Sequence, residues 1–221
     1  MIDKRCASVE EAVSVIHSGS VIAVGGFGDI GVPLALCAAL ARLDVCDLTI
    51  VSNNAGTGEN GLALLFKHHC VSRLIASFPS QAGADHFMNA WKQGEVQVEL
   101  TPQGTLAERL RAGGSGLAGF FTPTGYGTEL TLGRETRVVN GKGHVYEEAL
   151  RVDFALVQAD RADRYGNLRY RLATRNFNPV MAMAARHTIA QTRQLVALGD
   201  IGPDDVHTAG VHVDSVVEVR T

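Results

Sequence analysis

The segment Gly25-Gly26-Phe27-Gly28-Asp29-Ile30-Gly31-Val32-Pro33 carries the strongest chemical signal in the chain, directly behind the apolar run Val21-Ile22-Ala23-Val24. Glycines let backbone approach a ligand closely, and bare N–H groups opening a helix favour negative charge. Pro33 suits a first helical turn, where its missing N–H costs nothing. Such a loop suits an anion, or an oxyanion that develops during a reaction. Gly26 to Gly31 also spells G-x-G-x-x-G, a dinucleotide-binding fingerprint that expects an acid about 20 residues further on for the ribose hydroxyls. The next apolar run, Leu48-Thr49-Ile50-Val51, ends instead in Ser52-Asn53-Asn54. No Gly-Lys-Ser/Thr follows the glycines, so a phosphate-binding P-loop does not fit. A tight turn without chemistry is the remaining alternative.

Other reactive types are sparse. Cys6, Cys37, Cys46 and Cys70 lack C-x-x-C spacing and read as buried free thiols of a reducing cytoplasm. His68-His69-Cys70 are adjacent and point different ways, so no metal site is expected. His17, His86, His144, His187, His207 and His212 form no i, i+4 pair, and the last two read as surface residues. Gln103 follows an expected strand, where its amide can reach a substrate or simply turn the chain into a helix.

The elements that must position these groups alternate in the first half. Ser8-Val9-Glu10-Glu11 is a capping box opening a helix that Gly19 ends. Strands are expected at 21–24, 48–51, 71–76 and 96–100. Helices are expected from Pro33 to about Leu43, over 62–66, over 82–92 and over 105–111. That rhythm predicts an α/β domain with a mostly parallel sheet flanked by helices. In the second half Gly113 to Gly116 and Thr122 to Thr128 are rich in glycine and proline. Short strands follow near 136–139, 144–146, 154–158 and 168–170, then a helix over 176–185. No linker divides the halves, so residues 1–221 read as one domain. With 46% hydrophobic and 19% charged residues, a formal charge of −3 and a pI near 6.2, neither nucleic acid nor an anionic membrane is an expected partner. No apolar run reaches the roughly 18 residues of a membrane span, and no secretory leader is expected ahead of the domain.

Six segments, in order, resemble the A subunit of the two-subunit 3-oxoacid CoA-transferases. They are the glycine loop, Ser52-Asn53-Asn54-Ala55-Gly56, Pro102 to Arg109, Gly113 to Thr128, Asp163 to Leu168, and Arg175-Asn176-Phe177-Asn178-Pro179. Gly58-Glu59 and Ser77-Phe78-Pro79 are most similar to the branch acting on 3-oxoadipate. The resemblance implies the family's alpha-subunit fold, transfer of CoA from succinyl-CoA to 3-oxoadipate, and acetoacetate as the alternative acceptor. It implies that coenzyme A is a substrate and that no cofactor is needed. A dinucleotide-binding oxidoreductase using Gly26–Gly31 is the reading of a different class.

By the same resemblance, Gly25, Gly26, Phe27, Gly28, Asp29, Ile30 and Gly31 bind CoA, while Asn53, Asn54 and Gln103 line the active site. Arg109, Arg111 and Arg175 are candidate cations for the far carboxylate of a dicarboxylic acid. Residues 113–128 read as an active-site wall, a subunit contact, or both. The family's nucleophilic glutamate lies in a Glu-Asn-Gly motif of a partner B subunit, in a heterodimer or heterotetramer. Glu59-Asn60-Gly61 imitates that motif, but Glu59 is read as opening a helix over 59–67, and this chain is expected to hold no nucleophile.

Overall fold

The computed structural model describes residues 2–219. Helix α1 (Val9–Val13) starts as its sequence requires, with the Ser8 hydroxyl accepting from Glu11 N. It is followed by β1 (Val21–Val24), α2 (Leu34–Leu40), β2 (Leu48–Ser52), α3 (Leu62–Lys67), β3 (Val71–Ala76), α4 (Asp85–Lys92), β4 (Gln97–Leu100) and α5 (Gln103–Gly114). The second half holds β5 (Gly119–Thr122), β6 (Thr136–Val139), β7 (Lys142–Glu148), β8 (Val152–Asp163), β9 (Leu168–Arg169), α6 (Asn178–Ala184), β10 (Ala185–Val196) and β11 (Ser215–Glu218).

The main sheet runs β11-β10-β8-β1-β2-β3-β4, every neighbouring pair parallel, with β9 antiparallel on β8. Alternation along each strand divides the core into two layers. Ile22, Val24, Ile50 and Leu156 pack with α1 to α4 through Val13, Leu36, Leu40, Leu65, Phe66 and Phe87. Ala23, Val51, Ala155 and Val157 pack on the other face with Leu106 and Leu110 of α5 and Met181 of α6. This is the mostly parallel, helix-flanked sheet that the sequence predicts. Strand order reverses at β1: β2 lies on one side and β8 on the other. In open parallel sheets ligands bind outside the carboxyl ends at such a switch, and the glycine loop leaves β1 there.

Several elements differ from expectation. Strands β10 and β11 have no counterpart among the expected strands, and the helix expected to Ala185 gives way there to β10. Thr188, Gln191 and Thr192 are buried within β10, so the strand shows neither an apolar run nor a clean alternation. The glycine-rich 113–128 region contains β5, which pairs with β7 in a small antiparallel sheet of order β5-β7-β6. Asn140 and Gly141, at φ +50° and +74°, turn β6 into β7; Asn-Gly between two short strands signals such a hairpin. Arg109 ties this sheet to the main body. Its Nη1 meets Glu99 Oε1 at 2.6 Å and its Nε donates to Glu148 O at 2.9 Å, while Arg134 Nη1 meets Glu147 Oε1 at 2.6 Å.

Candidate active site at the strand ends

The four loop glycines are required for different reasons. A Cβ on Gly25 would lie 1.8 Å from Asn178 Oδ1, so what approaches that backbone closely is the chain's own side chain. Gly26 has φ +128°, and its Cβ would meet Val32 Cγ2 at 2.5 Å; Gly31, at φ +76°, is crowded by Asn176, Asn178 and Thr174. Gly28, at φ +58°, has nothing within 4 Å of its would-be Cβ. Open space on that side leaves Gly28 accessible to a ligand.

Phe27 and Ile30 exchange backbone hydrogen bonds of 3.0 and 3.1 Å across the loop tip. The amides of Gly26, Gly28 and Asp29 have no hydrogen-bond partner among the described residues. The helix behind the loop is not an anion site, contrary to expectation. Ala35 N and Leu36 N, at the start of α2, both donate to Gln191 Oε1 at 3.0 and 3.1 Å. A buried side-chain carbonyl therefore saturates the donors that an anion would need. The donors left open here are those of the loop itself.

Neutral amides from β2 and α5 stand beside the loop. Asn54 Nδ2 donates to Gly28 O at 3.2 Å, and its Oδ1 accepts from Gly56 N at 2.8 Å. Asn53 Oδ1 accepts from Gln103 Nε2 at 2.8 Å and from Ser77 Oγ at 3.0 Å. The fold thus brings together Asn53, Asn54 and Gln103 from the end of β2 and the start of α5, and Asn54 reaches the glycine loop directly. Asn53 and Asn54 are buried, whereas Gln103 is exposed. Ser77, noted in the sequence only as part of a similar segment, completes this cluster.

The acids nearby are engaged. Asp29 accepts from Thr57 Oγ1 at 3.1 Å. Glu59 lies before α3 rather than within it. It is exposed, pairing through Oε2 with Lys67 at 2.6 Å and through Oε1 with His86 at 2.8 Å. The Lys67 hydrogen bond, then that of His86, holds the Glu59 carboxyl below the usual glutamate range. Its stabilising contact is an ion pair to the last residue of α3, not the helix dipole that the sequence suggested.

Of the candidate cations, Arg109 is committed to Glu99 and the small sheet, and Arg111 pairs with Glu108 one turn back on α5. Arg175 is exposed and has no carboxylate partner among the described residues. A cavity of about 400 Å³ adjoins the opposite side of the loop, with Asp29, Gly31 and Leu34 on one wall. Arg171 and Arg193 line it without carboxylate partners among the described residues, and Asp160 lies beside Arg193 in the β8–β10 register. Sequence reading singled out neither arginine. It also treated His207 as a surface residue, whereas His207 is half-buried, stacks on Tyr170 and accepts from Tyr170 N at 3.0 Å. Of the cysteines, Cys37 and Cys70 are buried, Cys6 is half-buried and Cys46 is exposed; burial pushes the Cys37 thiol up to about 12.

No helix among the described residues is long and apolar enough to cross a membrane. The coenzyme A transferase family profile matches residues 6–219. The chain is 48% identical to the A subunit of 3-oxoadipate CoA-transferase from Acinetobacter baylyi, covering 100% of this chain and 97% of that one. It is 47% identical to the A subunit of a probable succinyl-CoA:3-ketoacid coenzyme A transferase from Mycobacterium tuberculosis, over 99% and 94% of the two chains. An acyl-CoA transferase of Escherichia coli O157:H7, solved as a thioester complex with CoA, superposes with a TM-score of 0.84 at 21% identity. It matches 99% of this chain, which spans 47% of that protein's length.

Proposed function

The chain belongs to the coenzyme A transferase family, as an A subunit of the 3-oxoadipate and succinyl-CoA:3-ketoacid type, and we propose that it moves CoA from succinyl-CoA to 3-oxoadipate once joined to a B-type subunit. The observation that carries this reading is the set of neutral amides and free loop N–H groups at the strand ends, on a chain similar throughout its length to an A subunit named for 3-oxoadipate. Such groups stabilise negative charge without supplying a nucleophile. Asp29 and Glu59, the acids beside them, are hydrogen-bonded elsewhere, which favours a glutamate brought by the partner.

In this mechanism the partner's glutamate carboxylate adds to the thioester carbonyl, and the C–S bond breaks to give a succinyl-glutamyl anhydride and CoA thiolate. The thiolate then attacks the glutamyl carbonyl, expelling succinate and leaving a glutamyl-CoA thioester. A carboxylate of 3-oxoadipate repeats the first addition on that thioester. The thiolate released then attacks the new acyl group, forming 3-oxoadipyl-CoA and restoring the glutamate. Each addition places a full charge on a carbonyl oxygen, and preorganised N–H donors lower that barrier. Gly28 N and its neighbours, with Asn53 and Gln103 beside them, serve as those donors and as contacts for CoA. The far carboxylate of each acid requires a cation, for which Arg171, Arg175 and Arg193 are available.

The test is reconstitution with a B-type partner followed by side-by-side thioester exchange. The single chain is expected to be inactive. The complex is expected to favour 3-oxoadipate over acetoacetate by about tenfold or more in kcat/KM, because the methyl end of acetoacetate leaves the cation unpaired. Turnover by the chain alone overturns the partner assignment. Equal or better use of acetoacetate moves the protein to the ketone-body type.

A further inference from the structure

The glycine loop is held from beneath by a continuous set of buried side-chain amides. Asn178, fully buried at the start of α6, donates through Nδ2 to Gly31 O at 3.1 Å and to Thr174 O at 2.8 Å. Its Oδ1 accepts from Gln158 N at 2.9 Å on β8, and the same oxygen fills the space where a Gly25 side chain would stand. Gln158 Oε1 accepts from Gln191 Nε2 at 2.8 Å, and Gln191 Oε1 takes the first amides of α2. On the outer side Asn176 Nδ2 donates to Ile30 O at 2.9 Å. Both ends of the loop and the helix behind it are therefore fixed by neutral groups. A carboxylate there would oppose the negative charge the loop is to stabilise, and an apolar side chain would leave the half-buried carbonyl of Gly31 without its partner.

We propose that Asn178 is a positioning residue for CoA transfer, setting the height of the glycine loop so that the N–H groups around Gly28 meet the oxyanion. The proposal rests on the CoA-transfer reading, because only charge developing during the reaction makes loop height a matter of rate. Asn178 is fully buried and acts only through the loop backbone it holds. Displacing catalytic donors by about 1 Å costs on the order of a hundredfold in rate, whereas ground-state contacts of the bound substrate change less. The signature is therefore a fall in kcat with KM largely kept.

Asn178→Ala, Gly25→Ala and the double variant, each paired with the B-type subunit, test this together with Asn176→Ala, which removes a contact from the half-buried side of the loop. Asn178→Ala is expected to lower kcat by roughly a hundredfold with KM for succinyl-CoA nearly unchanged. Gly25→Ala, which drives a methyl group onto Asn178 Oδ1, is expected to do much the same. The double variant should be no worse than Asn178→Ala, since the methyl group then enters vacated space. Amide hydrogen exchange at Phe27 and Ile30 of the full chain should rise in the single variants, a readout independent of turnover. Failure of the wild-type complex to transfer CoA, with the exchange change still present, removes the functional reading but leaves the loop latch standing.

Multiplicative losses in the double variant, a rise in KM with kcat kept, or unaltered exchange overturns the proposal. If Asn178→Ala fails to fold, Gly25→Ala and Asn176→Ala decide: normal kcat in both overturns the assignment.

Discussion

Gly28→Ala separates the two roles that a glycine can play in this loop. At φ +58° an alanine incurs the left-handed penalty, roughly 1–2 kcal/mol. For a chain of this size each kcal/mol lowers Tm by about 2–4 °C, so a fall of roughly 2–8 °C is expected. No atom lies within 4 Å of the new methyl group, so no clash adds to that cost and the fold persists. The rate loss should be much larger than the strain implies. The methyl group projects into the open space beside Gly28 N, and on the proposed mechanism it keeps the oxyanion from that donor; loss of one such contact costs about 10²–10³ in turnover. Gly28→Asn is the paired variant, because asparagine tolerates the left-handed region better. It should regain most of the lost Tm and none of the lost rate. The measurements are calorimetric Tm of the chain and thioester-exchange kcat of the reconstituted complex. If Gly28→Ala keeps its rate within about threefold while Tm falls as expected, the loop is a turn and the donor assignment fails.

Three further outcomes are expected. Glu59→Gln in the complex should retain most activity, and hydroxylamine or borohydride trapping with acyl-CoA should label a glutamate of the partner chain; a label on Glu59 reverses the nucleophile assignment. Arg109→Ala should destabilise the chain by about 1.5–3 kcal/mol, because it removes the charge-assisted bond to Glu99 and the bond to Glu148 O that ties the small sheet to the main body, while Glu99 keeps Arg73 and Glu147 keeps Arg134, and folded material should discriminate between acceptors as before. A change of acceptor preference without loss of stability would return Arg109 to the substrate site. Burial raises the Glu99 carboxyl, but hydrogen bonds and charge from Arg109 and Arg73 outweigh it and hold the group below the ordinary glutamate value. A depressed carboxyl stabilises the folded state above its unfolded value and loses that contribution as pH falls through the folded one. Urea midpoints of the wild type should therefore fall on acidification below about pH 4.3, and Glu99→Gln should flatten that slope; an unchanged slope shows that the pair is not linked to folding.

The first half of the fold was legible because its signals are local. Val21-Ile22-Ala23-Val24, Leu48-Thr49-Ile50-Val51 and the helical periods between them each declare a type, and parallel connections leave few arrangements. The clustering of Asn53, Asn54 and Gln103 followed from that topology, since each stands just beyond the carboxyl end of a strand. The helix start assigned to Glu59 is early by three residues, because Gly61, at φ +54°, delays the helix to Leu62. Strand β10 was lost because buried threonines and a glutamine break the apolar pattern on which strand recognition depends, and β11 because its four residues offer only Val216 and Val217 as an apolar signal.

Sequence alone determined that a glycine-dense loop follows an apolar strand and that neutral amides follow the next. It could not say what each glycine is for. Gly25 is glycine because of Asn178, and Gly31 is held by that same side chain from 147 residues away. The first turn of α2 cannot bind an anion because Gln191, 156 residues beyond Ala35, already occupies its donors. A hydrogen bond between distant segments leaves no periodicity or spacing in the chain, since its geometry exists only once the sheet has brought β8, β10 and α6 beneath the loop.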